Sequence, residues 1–247
     1  MQRARRLTSI AISAVLGVTA LSACRSEPGV AAYIGDRKIT EDQVSAILDD
    51  ARSKVPPGGH VAGATPAPEQ PEGAPPQATE VKAPTRSAVV SALVVGDICR
   101  RLATEKGFQP KEQAPVDRFA EQMGLPAGSD HVRNLVELDA CLAGMPAGNP
   151  VAPTPEEMAD LVARGKAAGV VPPEVKVEEA ATQLDGELLR GRLAMRNTLA
   201  EALKTYRVTV SPRYRPLEYT VLPFSDGTPA LAVQVAGGGS DTVIDAR

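Results

Sequence analysis

Aromatic side chains are scarce in this sequence of 247 residues, which has no Trp, three Phe and four Tyr. The aromatic anchors that dominate tight binding surfaces are therefore almost missing, and a hydrophobic core has to be built mainly from Ala, Val and Leu. Only two His and three Cys occur. Because metal sites usually draw on clusters of these residues, we expect no metal and no cofactor.

The sequence also lacks the patterns of a nucleic-acid-binding protein or an enzyme. Its 27 basic and 30 acidic residues give a net charge of −3. A nucleic-acid-binding protein needs a basic face, which nothing in this balance suggests, so nucleic acid is not an expected partner. The glycine run at 237–239 precedes no helix and cannot form a phosphate loop. His is too scarce for a Ser-His-Asp arrangement, and no Gly-x-Ser-x-Gly motif occurs. We expect no catalysis and no small-molecule substrate.

What is present begins with an export signal. Three Arg precede an uncharged stretch, Leu7 to Ala20, and then Leu21-Ser-Ala-Cys24. This order is typical of secretory signals, and the tetrad resembles the bacterial lipobox, in which the Cys thiol receives a diacylglycerol. The sequence predicts removal of residues 1–23, acylation of Cys24 and attachment to the extracytoplasmic face of the cell membrane. An ordinary signal peptide and an uncleaved anchor helix are the alternatives, although a spanning helix needs about 20 apolar residues.

Acylation of Cys24 would leave Cys99 and Cys141. An even remainder in an oxidising compartment predicts a disulfide, and two buried free thiols are the alternative. Both cysteines lie on predicted helices, at a spacing from apolar neighbours that turns them inward.

A single domain is predicted over residues 30–224, after a tether at 24–29. Val30–Ile34 has strand character, and a helix begins at Thr40, with Gln43 in the position of a capping box. Residues 55–84 include eight Pro and four Gly. They cannot bury enough apolar surface to offset their chain entropy, so a disordered loop is predicted, with His60 inert inside it.

The remainder of the domain is predicted to be mainly helical. A helix from Thr85 to about Gly107 is apolar around most of its circumference, which indicates a central place in the core. The longest helix is predicted from about Pro173 to Thr205, with Val177 and Leu188 on its inward stripe. Three shorter helices are predicted at 116–123, with Met123 facing inward, from Ser129, with His131 at the surface, and from Thr154. Extended segments are predicted at 206–214 and 218–222. A flexible Gly-rich tail is predicted at 225–247.

The order of these elements resembles the SurA-type chaperone domain. The opening residues 30–44, a strand, a tight turn, Ile-Thr and a helix, are similar to the start of that domain, and residues 208–214 are similar to the end of SurA-like lipoproteins. The resemblance implies a helical cradle for unfolded exported polypeptides, closed by pairing of the strand at 30–34 with 207–210. The parvulin domain of many relatives is missing here, so prolyl isomerase activity is not expected.

The sequence thus predicts a membrane-tethered, non-enzymatic chaperone. Its partners would be unfolded or partly folded exported polypeptides and, through the lipid, the membrane. A structural or accessory lipoprotein that binds one specific envelope partner is the alternative, because every apolar stripe could be consumed by the protein's own core.

Overall fold

The structure is a computed structural model that describes residues 27–56, 60–61, 81–146 and 148–236. It is mainly α-helical with small sheets, as the sequence predicts. The helices are α1 (Glu41–Ser53), α2 (Arg86–Lys106), α3 (Val116–Met123), α4 (Asp130–Gly144), α5 (Pro155–Ala167), α6 (Val177–Leu184) and α7 (Glu187–Thr205). The strands are β1 (Val30–Ile34), β2 (Arg37–Thr40), β3 (His60–Val61), β4 (Lys82–Ala83), β5 (Val208–Val210), β6 (Leu217–Pro223) and β7 (Pro229–Ala236).

The predicted pairing of the first and last segments is confirmed. In the sheet β2-β1-β5, strand β1 lies antiparallel to β5, with Ala32 opposite Val210 and Ile34 opposite Val208. The Ser211 amide extends the contact by donating to the Ala31 carbonyl at 2.9 Å. The side chains of Ala31, Ala32 and Ile34 are fully buried, so β1 is a central strand whose small residues let helices pack closely against it.

Helix starts follow the predicted caps. The Thr40 hydroxyl accepts from the Gln43 amide, and the Ser129 hydroxyl accepts from the Val132 amide. At Thr154 the full capping box forms, because the Glu157 carboxylate also accepts from the Thr154 amide at 2.9 Å. These bonds satisfy amides that have no partner inside the helix.

The main core surrounds α2, as its apolar circumference predicts. This helix packs against α1, α4, α7 and the sheets, and its Ser91 hydroxyl donates to the Glu218 carbonyl of β6 at 2.9 Å. A second cluster joins α5, α6 and the first half of α7. The largest fully buried side chains are all aliphatic: Ile34, Ile39, Val44, Leu48, Val89, Val90, Val94, Val95, Ile98, Leu138, Leu193 and Leu199.

The predicted helix from Pro173 to Thr205 is wrong as a single element. It begins only at Val177 and breaks at Asp185 and Gly186, which separate α6 from α7. The Asp185 carboxylate accepts two hydrogen bonds from the Arg190 guanidinium, both 2.8 Å long. This local pair, together with a glycine in extended conformation as N-cap, favours a new helix start over continuation.

The predicted flexible tail at 225–247 is wrong for its first part. Strand β7 pairs antiparallel with β6, and Ala230, Val233 and Val235 are buried. The connecting turn has Gly227 at φ +85°, and the Thr228 amide donates to the Asp226 carboxylate. The apolar sequence of 229–236 forms a hairpin with β6 and so extends the domain beyond residue 224. The rest of the predicted tail, 237–247, lies outside the described residues.

The two ends of the Pro- and Gly-rich segment meet. His60 and Val61 of β3 pair in parallel with Lys82 and Ala83 of β4, so the predicted disorder over all of 55–84 is wrong at these ends. The interior of the predicted loop, residues 62–80, lies outside the described residues.

Candidate functional site

The disulfide partners expected from the sequence lie together. Cys99 of α2 and Cys141 of α4 are both buried, with their sulfur atoms 2.10 Å apart and their Cα atoms 6.2 Å apart. A bond that closes a loop of 42 residues stabilises a fold by about 4 kcal/mol in the chain-entropy model. The link fixes the end of α4 to the central helix. Cys24, the expected acylation site, lies outside the described residues.

An apolar cleft opens just beyond this disulfide, between the end of α4 and the first half of α7. We call it the Leu188 cleft. Its side chains are mainly apolar and include two methionines, and its volume is about 270 Å³. The residues that line it are Leu142, Ala143, Met145, Pro146, Gly148, Glu187, Leu188, Gly191, Arg192, Met195 and Thr198.

Leu188 is the most exposed large apolar side chain that the structure describes, at 65%. The sequence predicted it to face inward. That prediction is wrong, because the break at 185–186 resets the helix phase and Leu189, its neighbour, takes the buried position at 5% exposure. Two adjacent leucines cannot occupy one face of a helix. The signal that sequence reasoning missed was Asp185-Gly186 followed, after Glu187, by the pair Leu188-Leu189.

The lining of the cleft includes two adaptable methionine side chains. Met145 and Met195 are partly buried against the main core, and unbranched thioether side chains adjust readily to different neighbours. Behind them, the Val151 amide donates to the Arg190 carbonyl at 3.2 Å, which holds the segment after α4 against α7. Glu187 and Arg192 place one charge of each sign at the rim. The arrangement suits a single apolar side chain presented by a polypeptide.

A second concavity, of about 480 Å³, lies between α7 and β7. Its lining is mixed, since Arg196 and Lys204 stand beside Ala200 and Val233. The Arg196 guanidinium is already engaged by the Glu157 carboxylate and by Asn197. Charged side chains line both concavities, but the Leu188 cleft is more apolar and has the exposed Leu188 beside two methionines, so we regard it as the better candidate for apolar ligands.

Two other predicted inward positions are wrong. Met123 of α3 is 56% exposed, and Val177, now the first residue of α6 rather than part of a long stripe, is 40% exposed. Both are single exposed side chains at helix ends, which is common on protein surfaces.

The buried charges serve the fold. Asp97 of α2 is almost fully buried and pairs with Arg37 and Arg101, with Arg100 also within 3.5 Å. Glu41 accepts from the Tyr214 hydroxyl at 2.7 Å and faces Arg86 and Arg213. The two clusters join α2 to the β1–β2 turn and α1 to the segment after β5, across long sequence separations.

His131 is not at the surface, contrary to the prediction. It lies in the first turn of α4 with 3% of its surface exposed. Burial disfavours the charged imidazolium and lowers the pKa of His131 to about 4. Burial similarly raises the pKa of Tyr219 to about 12. Within the described residues no group of His, Cys, Asp or Glu is arranged to hold a metal ion.

None of the described helices has the length and apolarity needed to span a bilayer. Compared with protein-family models, with curated proteins and with solved structures, the chain gives no significant match to any.

Proposed function

We propose that this protein is a membrane-tethered, extracytoplasmic chaperone-like lipoprotein that binds apolar segments of unfolded or partly folded exported polypeptides, without catalysis. The observation that carries the proposal is the Leu188 cleft, in which the exposed Leu188 of α7, together with Met195, lies beside Met145. Met145 ends α4, the helix that the disulfide partners Cys99 and Cys141 join to α2. Promiscuous binding surfaces use such adaptable side chains.

The exposed Leu188 gives the cleft apolar surface that a polypeptide could contact. The cleft volume of about 270 Å³ is close to the lower end of the range of about 300 to 1,000 Å³ that is usual for small-molecule sites. The cleft is large enough to take an apolar side chain of a bound polypeptide. Weak, reversible burial of one apolar side chain at a time is what a chaperone without aromatic anchors can supply.

The resemblance to the SurA-type domain supports the same proposal. The β1–β5 pairing agrees with the closure that this resemblance implies. The predicted acylation of Cys24 would hold the body near the site of export, where tethering raises the effective concentration of clients.

Suppression of aggregation tests the proposal. The mature chain, residues 24–247, is mixed at several-fold excess with a denatured reporter protein, and light scattering is followed. We expect suppression by the parent chain and its loss in Leu188→Glu, which places a charge in the cleft. The matched control is Met123→Glu, which alters an exposed apolar side chain outside the cleft. No suppression by the parent chain, or equal loss in both variants, would contradict a general chaperone and favour an accessory protein with one partner.

Anchoring is tested separately in cells by palmitate labelling and membrane fractionation. We expect the parent chain to label and to sediment with membranes, and Cys24→Ala to do neither. A Cys24→Ala chain that still carries the label would remove the lipid anchor from the proposal.

A further inference from the structure

We propose that the surface around the start of β1 is a membrane-facing surface that binds the headgroups of anionic phospholipids. We call it the tether rim and define it by four cationic side chains: Lys38, Arg86, Arg213 and Arg215. This inference rests on the proposed lipid anchor, and it assigns the surface that the anchored body turns toward the bilayer.

Chain length fixes which surface can approach the membrane. Three residue steps separate Cys24 from Glu27, and an extended chain spans at most about 3.5 Å per residue. Glu27 therefore lies within about 10 Å of an acylated Cys24, and the Val30 amide at the start of β1 donates to the Glu27 carbonyl at 3.2 Å. A distance of about 10 Å is close to one Debye length at physiological salt, so charges here still act on lipid phosphates.

Hydrogen bonds and ion pairs place the cations at this end of β1. The Glu41 amide donates to the Gly29 carbonyl at 2.8 Å, and the Glu41 carboxylate lies 3.4 Å from Arg86 and 3.3 Å from Arg213. Both guanidinium groups are about half exposed.

The remaining two cations flank the same point. The exposed Arg215 donates to the Val210 carbonyl at 3.3 Å, and Val210 is paired with Ala32 of β1. Lys38 pairs with Glu27, which raises the pKa of Lys38 and lowers that of Glu27. All four cations thus lie beside the first residues that follow the tether.

The charge balance distinguishes this surface from the rest of the chain. Among the described residues, Glu27 and the mostly buried Glu41 pair with these cations, and the exposed Asp42 is the next residue along the chain. Arg25 adds a further cation in the tether sequence. The predicted mature chain as a whole has 24 basic and 30 acidic residues. The tether rim is therefore positive on a negative molecule, which orients the body with this end toward an anionic membrane.

Vesicle binding by a singly acylated chain tests the inference. Because Cys99 and Cys141 are paired with each other, Cys24 is the only free thiol of the three cysteines and can be coupled to one C14 alkyl chain. A single chain of this length gives only marginal binding, so added headgroup contacts become measurable. We expect about tenfold tighter binding to vesicles of phosphatidylcholine that contain about 30% phosphatidylglycerol than to vesicles of pure phosphatidylcholine. The preference should disappear in about 0.5 M salt, where screening is strong.

Two sets of variants locate the effect. Arg86→Gln/Arg213→Gln/Arg215→Gln should lose the preference for anionic vesicles. The control Arg52→Gln/Arg133→Gln/Arg164→Gln removes three comparably exposed arginines, each from a surface ion pair away from the rim, and should keep it. Arg86 and Arg213 both form ion pairs with Glu41, which the triple variant removes. The single variant Arg215→Gln keeps both ion pairs, and we expect it to reduce the preference for anionic vesicles several-fold.

Equal binding to neutral and anionic vesicles, or equal loss in the control triple, would overturn the inference. The outcome does not depend on the proposed function, because the alkyl chain is attached chemically and no client is present. A failed palmitate-labelling experiment would remove the physiological anchor while leaving the lipid preference of the tether rim measurable.

Discussion

At the scale of single residues, burial determines the protonation of His131, which the sequence alone does not show. His131 occupies a polar first-turn position of α4, which favours a surface interpretation, yet the helix packs with that side toward the core and only 3% of the residue is exposed. The sequence could not show this, because the orientation of a first turn depends on the neighbouring elements that cover it. Leu188 was expected to face inward for a different reason, because the break at 185–186 that resets the helix phase was not predicted.

His131 should make stability depend on pH. Its pKa is about 4 in the folded chain and about 6.5 when unfolded, so between these values the unfolded state binds a proton that the folded state does not. Stability conferred by the neutral imidazole is complete above pH 6.5 and falls as the pH drops toward 4, by about 3 kcal/mol. Urea unfolding at pH 7 and pH 4.5 should show this fall in the parent chain and a smaller one in His131→Leu.

The control for this prediction is His60→Leu, which removes the only other histidine. It should retain the pH dependence of the parent chain. If His60→Leu abolishes the fall and His131→Leu keeps it, the assignment to His131 is wrong.

At the scale of elements, the sequence predicted the caps and ends of helices better than it predicted helix breaks and strand pairing. Helix α3 has the predicted bounds, and the caps at Thr40, Ser129 and Thr154 start helices where expected. Caps and glycine ends depend on neighbours in sequence, so they are visible there. The break at 185–186 and strand β7 depend on a competing ion pair and on a partner strand. The Leu188 cleft, which results from that break, could not be located before the helices were placed.

Two glycines of the helices near the cleft should respond oppositely to alanine. A Cβ on Gly144 would lie 2.2 Å from the Gln109 carbonyl oxygen, and that backbone is held by the Lys111 amide, which donates to the Ala140 carbonyl. A Cβ on Gly191 meets nothing within 4 Å. Gly144→Ala should therefore lower the free energy of unfolding by about 1 to 3 kcal/mol. Gly191→Ala should raise it by up to about 1 kcal/mol, because alanine is the better helix former.

Thermal and urea unfolding of the two variants provide the measurement. A neutral or stabilising Gly144→Ala would show that the segment at 109–111 does not lie against α4 as described.

At the scale of the whole molecule, the two ends of the domain complete one core. Strands β5, β6 and β7 supply Val210, Leu217 and Val233 to the cluster that also contains β1 and α2. The sequence resemblance anticipated the β1–β5 contact, whereas the β6–β7 hairpin was partly assigned to a tail. The three glycines at 237–239 favoured the prediction of a flexible tail, although the residues just before them are apolar.

Truncation distinguishes the domain from the tail. A chain that ends at Phe224 lacks β7 and leaves β6 unpaired, so we expect its Tm to fall by roughly 10 °C or more. A chain that ends at Ala236 keeps the hairpin and should melt within about 2 °C of the parent. Circular dichroism at 222 nm follows both transitions. Unchanged melting of the shorter chain would show that β7 adds nothing to the fold.

The contact between β1 and β5 can form only after most of the chain has been synthesised. Next to this contact, the hydrogen bond between Tyr214, just after β5, and Glu41, just after β2, joins residues 173 positions apart. A ribosome that adds about 5 to 20 residues per second needs roughly 10 to 35 seconds to cover that interval. Throughout this time the nascent β1–β2 hairpin and α1 have no third strand beside them. The early part of the chain must therefore remain free of aggregation until the later strands are made. Mutations that make residues 30–48 more hydrophobic should lower the yield of folded protein even where the folded protein tolerates them.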